Sequence, residues 1–210
     1  MIVAQRINRV LVRIPPWAIY VVSVFPPVWL FWQGMTGGLG VEPIKALEHR
    51  MGELALQLLI LTLAVRPLYE WTRINLMKLR RAFGVVTFFY VVFHMLVWLV
   101  LDVGILSEIW ADIVKRPYIT VGMASLVLLV PLAITSNNLS LRKLGPRRWK
   151  RLHQLTYLAT FLGALHFVML SKGFQLEPYI YLGLVIFLLA LRIKLPKRRP
   201  RPSPQRSSAS

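Results

Sequence analysis

Apolar residues in this chain fall into six long blocks separated by short polar or basic stretches. The blocks run over Trp17–Gln33, Arg50–Tyr69, Ala82–Leu101, Tyr118–Ser136, Leu152–Leu170 and Pro178–Leu195. Each holds about 20 residues or slightly fewer, the length a helix needs to cross a ~30 Å hydrocarbon core. The pattern predicts one all-α unit, a six-helix transmembrane bundle over residues 15–195, after a short segment over 1–14. The last stretch, 196–210, is rich in Pro, Arg and Ser and is expected to be a disordered tail. The first block follows Arg6, Arg9 and Arg13 as a signal peptide would, yet it lacks a small-residue cleavage site. It reads as a retained helix, bent near Pro26–Pro27.

Composition sharpens this picture. With 56% hydrophobic residues, the chain is too apolar for an ordinary soluble domain. The absence of cysteine excludes disulfides, iron–sulfur clusters and thiolate ligation of haem. A net charge of +18 suggests nucleic acid until its placement is considered. Met1–Arg13, Tyr69–Arg81, Asn137–Arg151 and Arg192–Ser210, with Arg66, hold 21 of the 26 Lys and Arg and only one of the eight acids, Glu70, a net +20. The opposite connections carry Lys45, Arg50, Lys115, Arg116, Lys172 and the other seven acids, a net −2. That asymmetry follows the positive-inside rule, predicts both termini in the cytoplasm, and gives the basic segments anionic membrane lipid rather than nucleic acid as their partner. Trp17, Trp32, Trp71, Trp110 and Trp149 stand near block ends, where an interfacial aromatic belt belongs.

The chemistry lies in His49, His94, His153 and His166. An ionisable residue inside a span is costly and usually functional, although a lone buried histidine serves equally well as a hydrogen-bonded packing residue. His94 and His166 stand about 12 and 14 residues into the third and fifth helices, which run in the same direction. At ~1.5 Å per residue they reach a similar depth, nearer the outer face, where two imidazoles can clamp a haem iron. His153 stands 13 residues before His166, and the same offset before His94 falls on Arg81. Arginine stays protonated and has no lone pair for iron, so Arg81 is a candidate partner for a haem propionate, with His153 the inner ligand. Arg151 is a propionate candidate by adjacency alone. Positive-inside anchoring accounts for Arg81 and His153 too. His49 opens the second helix in EHRMGE and reads as a solvated helix-start residue or as a contact for quinol or an external partner.

GGLGVEPIKALEHRMGELAL, LAVRPL, LRRAFGVVTFFYVVFHMLVWLVLD, RPYITVG and ITSNNLSLRKLGPRRWKRLHQLTYLATFLGALHF occur in order between Gly34 and Leu195. Together they resemble the MsrQ (YedZ) family, within the ferric-reductase-like transmembrane superfamily. The resemblance implies a bacterial inner-membrane subunit that binds haem b, in one or two copies, and FMN. It implies electron delivery from quinol or a cytoplasmic flavin reductase to an MsrP-like periplasmic molybdopterin enzyme that reduces oxidised methionine. It carries the haem histidines to His94, His153 and His166, with Arg81 where superfamily members that bind two haems have a fourth histidine. The chain has no G-x-G-x-x-G nucleotide fingerprint, and GMTGGLG reads as an outer turn rather than a phosphate loop. An electron-transfer subunit is therefore the leading expectation, with no bond chemistry of its own. A self-sufficient ferric or oxygen reductase is the alternative, and a transporter with proton-carrying or structural histidines is the third class.

Overall fold

The computed structural model describes residues 2–171, 173 and 175–192, and the tail expected over 196–210 lies outside them. All six apolar blocks are helical. The first is split into α2 (Pro16–Val22) and α3 (Phe25–Met35), after an N-terminal helix α1 (Ile2–Arg13). The second is α4 (Pro43–Thr72), and the third is α5 (Arg80–Leu96), which runs on into a π-helical turn over Val97–Val103. The fourth is α7 (Pro117–Ile134), the fifth α9 (Leu155–Leu170) and the sixth α10 (Leu176–Ala190). Four stretches, 16–35, 43–72, 80–103 and 117–134, are long and apolar enough to cross a membrane by length and composition, whereas α9 and α10 have 16 and 15 residues.

Two further helices lie outside these blocks: α6 (Leu106–Lys115) and α8 (Asn138–Leu152). The basic segment Asn137–Arg151, expected between apolar blocks, is thus largely helical. Asn137 starts α8 by accepting from the Ser140 backbone N–H at 2.7 Å, and Gly145, at φ 73°, breaks the helix midway.

The bend in the first block falls at Ser23–Val24, just before the prolines. Pro26 and Pro27 sit in the first turn of α3, where a missing N–H costs little. Pro27 still leaves the Ser23 carbonyl without its helical donor, and the buried Tyr90 hydroxyl supplies one at 2.6 Å. Pro67 has the same effect inside α4: the carbonyl four residues back, on Leu63, accepts from the Arg192 guanidinium instead.

Helix α4 is central to the packing. Its Leu47, Met51 and Ala55 pack with Val86 and Tyr90 of α5. Leu59 packs with Leu129, Leu132 and Ala159. Leu56 and Leu63 meet Ala164, Val185 and Leu188. A buried Ser125 hydroxyl ties α7 to the Ala159 carbonyl of α9 at 2.8 Å. Facing outward, Phe89, Val127, Ile134, Ile180 and Phe187 are exposed, as lipid-facing positions require.

Helix α1 is seated on the α4–α5 connection. Helix α4 ends at Arg73 in the left-handed region, φ 63°, and the Arg73 carbonyl accepts from Asn8 Nδ2 at 2.9 Å. The same Asn8 side chain accepts from the Asn75 N–H at 2.9 Å, and Lys78 Nζ donates to the Val12 carbonyl at 2.6 Å.

Candidate functional site

His94, near the end of α5, and His166, in the last two turns of α9, come together with ring centroids 6.1 Å apart and planes at 77°. The two rings expected at a similar depth are thus neighbours in the fold. His94 Nδ1 lies 2.9 Å from the Glu48 carbonyl, and His166 Nδ1 lies 2.7 Å from the Tyr118 carbonyl. A carbonyl only accepts, so each Nδ1 carries the proton and donates. A neutral ring bonded this way leaves Nε2 as a bare lone pair, fixed in tautomer and orientation as metal-ligating histidines are.

Both histidines use the same local device on the neighbouring helix. Glu48 is followed four residues later by Gly52, and Tyr118 by Gly122, so each glycine lies one helical turn beyond the accepting carbonyl. A Cβ on Gly52 would stand 3.1 Å from the His94 ring, and one on Gly122 2.8 Å from His166 Nδ1. Missing side chains at these points let the imidazoles lie against α4 and α7 and reach the carbonyls. The sequence reading missed both glycines. Their signal was a glycine inside an apolar helix, which destabilises it relative to alanine and so needs a packing reason.

The two rings line a cavity of about 460 Å³, within the range of small-molecule and cofactor sites. Leu56, Val91, Trp98, Gly163 and Phe167 contribute to its apolar wall. Glu42, Lys45, His49, Asp102 and Arg116 line it as well. Arg116 pairs with Asp112 at 3.3 Å. His49 does not open the helix as expected, since α4 starts six residues earlier at Pro43; it is exposed and also lines this cavity.

The residues fit haem at this pair. Two imidazole–metal bonds of ~2 Å, with ~1 Å from each nitrogen to its ring centre, put the centroids of two axial imidazoles about 6 Å apart. Among the described residues, no three His, Asp or Glu side chains stand together as a ligand set. A porphyrin supplies four of the iron's six ligands itself, so two histidines suffice.

The inner residues are arranged differently. His153 follows α8 and stacks on Trp149, with centroids 3.8 Å apart. The Arg81 guanidinium also faces Trp149, at 5.8 Å, and donates to Asn138 Oδ1 at 2.7 Å. Arg81 and His153 therefore meet on one indole ring. The Thr135 hydroxyl donates to the Pro131 carbonyl at 2.6 Å, so the 3.1 Å contact with His153 Nε2 runs from the imidazole N–H to the hydroxyl oxygen. In this arrangement Nε2 is engaged and Nδ1 holds the lone pair. Trp149 Nε1 donates to the Thr135 carbonyl at 2.8 Å and completes the cluster. Arg151 is exposed.

The family described as "Ferric reductase like transmembrane component" matches residues 51–164, a stretch that includes His94 and His153 and ends two residues before His166. Proteins from Brucella anthropi, Brucella ovis and Brucella canis are each 50% identical over 186 residues, covering 88% of this chain and 84% of the relative. Each of the three is named protein-methionine-sulfoxide reductase heme-binding subunit MsrQ.

Proposed function

This chain belongs to the ferric-reductase-like transmembrane family and, within it, to the MsrQ heme-binding subunits, and from that membership we propose that it carries electrons across the membrane to a separate methionine sulfoxide reductase. It is a multi-pass membrane protein. We place it in the bacterial inner membrane from its family, with six spans from its six apolar blocks and both termini in the cytoplasm from its charge asymmetry. The proposed donors are quinol or a cytoplasmic flavin reductase, and the proposed acceptor is an MsrP-like periplasmic molybdoenzyme.

The observation that carries the reading is the His94–His166 pair, 6.1 Å apart, with both Nδ1 atoms committed to carbonyls. These two residues are the proposed axial ligands, and haem b supplies reversible one-electron transfer when bound between them. The Glu48 and Tyr118 carbonyls orient the rings, and Gly52 and Gly122 let them approach. Leu56, Val91, Trp98 and Phe167 provide an apolar wall that limits water at the site. His153 and Arg81 are the proposed residues for a second, inner haem. Ligation through His153 Nε2 requires that ring to leave Thr135.

The test uses the full-length, haem-loaded protein, chemically reduced in nanodiscs and mixed with a purified periplasmic methionine sulfoxide reductase. The expected result is reoxidation that requires both that enzyme and methionine sulfoxide. Equally fast reoxidation by ferric chelates or oxygen, with no gain from the enzyme, would move the self-sufficient reductase to the front.

A further inference from the structure

Two arginines converge on α4 about 16 Å along that helix from Gly52, one turn before Pro67. Arg192, just after α10, donates to the Leu63 carbonyl and, through Nη1 at 3.1 Å, to the Tyr157 hydroxyl. Its guanidinium also lies 5.0 Å from the centre of the Tyr157 ring. Arg80, at the start of α5, donates from Nε to the Thr62 carbonyl at 3.2 Å.

The Leu63 carbonyl explains why a donor is needed at this place, since Pro67 has no N–H to offer it. It does not explain two full positive charges. The chain has eight carboxylate side chains, and Glu70, the one acid on the basic side, is held by Arg66 at 2.8 Å. None of the eight pairs with Arg80 or Arg192. The Nε of Arg192 is buried and has no acceptor. Like-charged guanidiniums in a partly apolar setting, with no counter-charge and an unsatisfied donor, are costly unless an anion from outside the chain joins them.

We propose that Arg80 and Arg192 form a binding site for the phosphate of a net-anionic phospholipid in the leaflet at the basic end of the bundle. A planar guanidinium matches phosphate oxygens. Arg80, whose Nε goes to the Thr62 carbonyl, is the one to present it, while Arg192, with Nη1 and Nη2 held by Tyr157 and Leu63, adds positive charge beside it. Both residues stand at helix ends on the side that carries most of the chain's positive charge, which is headgroup depth for the surrounding bilayer. The lipid supplies the missing counter-charge and joins α5 to α10 beside α4. This site is separate from the His94–His166 cavity and does not depend on the haem reading.

Native mass spectrometry of the full-length protein in detergent tests the site, by titration with phosphatidylglycerol, phosphatidylcholine and inorganic phosphate. The expected result is selective retention of phosphatidylglycerol that inorganic phosphate does not displace. Arg80→Gln should weaken that retention roughly tenfold. Arg192→Lys keeps the charge but loses the fork, and it should weaken retention by a smaller factor. Haem content and monodisperse elution, measured alongside, identify any variant that fails to fold. Equal retention of the two lipids by the wild-type protein, or unchanged retention in both variants, overturns the proposal. So does displacement by inorganic phosphate, which would make this a free-anion site. Loss of haem from Arg80→Gln with lipid retention intact also overturns it, because the arginines would then be serving a propionate.

Discussion

The Nδ1 of His166 lies where a Cβ on Gly122 would stand only 2.8 Å away, so the α7 backbone and this imidazole share a space that no other residue type leaves open. The carbonyl that receives the Nδ1 proton, on Tyr118, belongs to the same turn of α7. Ring position and ring tautomer are therefore set together by one notch in one helix.

Gly122→Ala should push the His166 ring off the Tyr118 carbonyl. Overpacking of this kind costs about 1–3 kcal/mol, and the expected outcome is a several-fold drop in haem retained after purification. Gly52→Ala, with a 3.1 Å approach to His94, should act in the same direction but more weakly. Gly183→Ala is the control, since a Cβ there meets nothing within 4 Å. It should retain haem fully. Haem-to-protein ratios of the three variants check the ordering.

Tyr90→Phe removes the hydroxyl that donates to the Ser23 carbonyl, whose helical donor Pro27 cannot provide. The expected loss is about 1 kcal/mol of stability, with haem content unchanged because Tyr90 lies outside the histidine pair's hydrogen bonds. A thermal melt in detergent, read together with the haem spectrum, checks both parts. A fall in haem without a fall in stability would place Tyr90 in the site rather than in the scaffold.

Asn8→Ala breaks two of the three hydrogen bonds that seat α1 on the α4–α5 connection, leaving the one from Lys78 to the Val12 carbonyl. The amides of residues 2–13 should then exchange hydrogen faster, by roughly tenfold, while those of α4 and α5 keep their protection. Hydrogen–deuterium exchange on the intact protein measures this.

Most of the helices could be read from the sequence because crossing a bilayer imposes a length and a composition on a helix; all six blocks are helical, and four of the helical stretches have the length as well as the composition. The pairing of His94 with His166 was accessible for a related reason: a fixed rise per residue turns a residue count into a depth. The partners that orient these rings were not accessible. Glu48 and Tyr118 contribute backbone carbonyls, which every residue has, and the contacts span 46 and 48 positions. The charged helices α6 and α8 escaped a reading based on apolar blocks. The attachment of His153 to Thr135 and Trp149 depends on how the chain turns between α7 and α8, and hydropathy carries no trace of that turn. The Leu63–Arg192 contact joins residues 129 positions apart, and only the proline at 67 hinted that a donor was needed.

The most direct measurement is a reduced-minus-oxidised absorption spectrum with haem quantitation on the purified full-length protein, made alongside His94→Ala and His166→Ala. A b-type spectrum in the wild-type protein that is lost from both variants, each still folded, is the expected result. A b-type spectrum surviving in both variants, or a folded wild-type protein with no haem after expression with ample haem supply, would contradict the assignment of this pair as the electron-carrying centre.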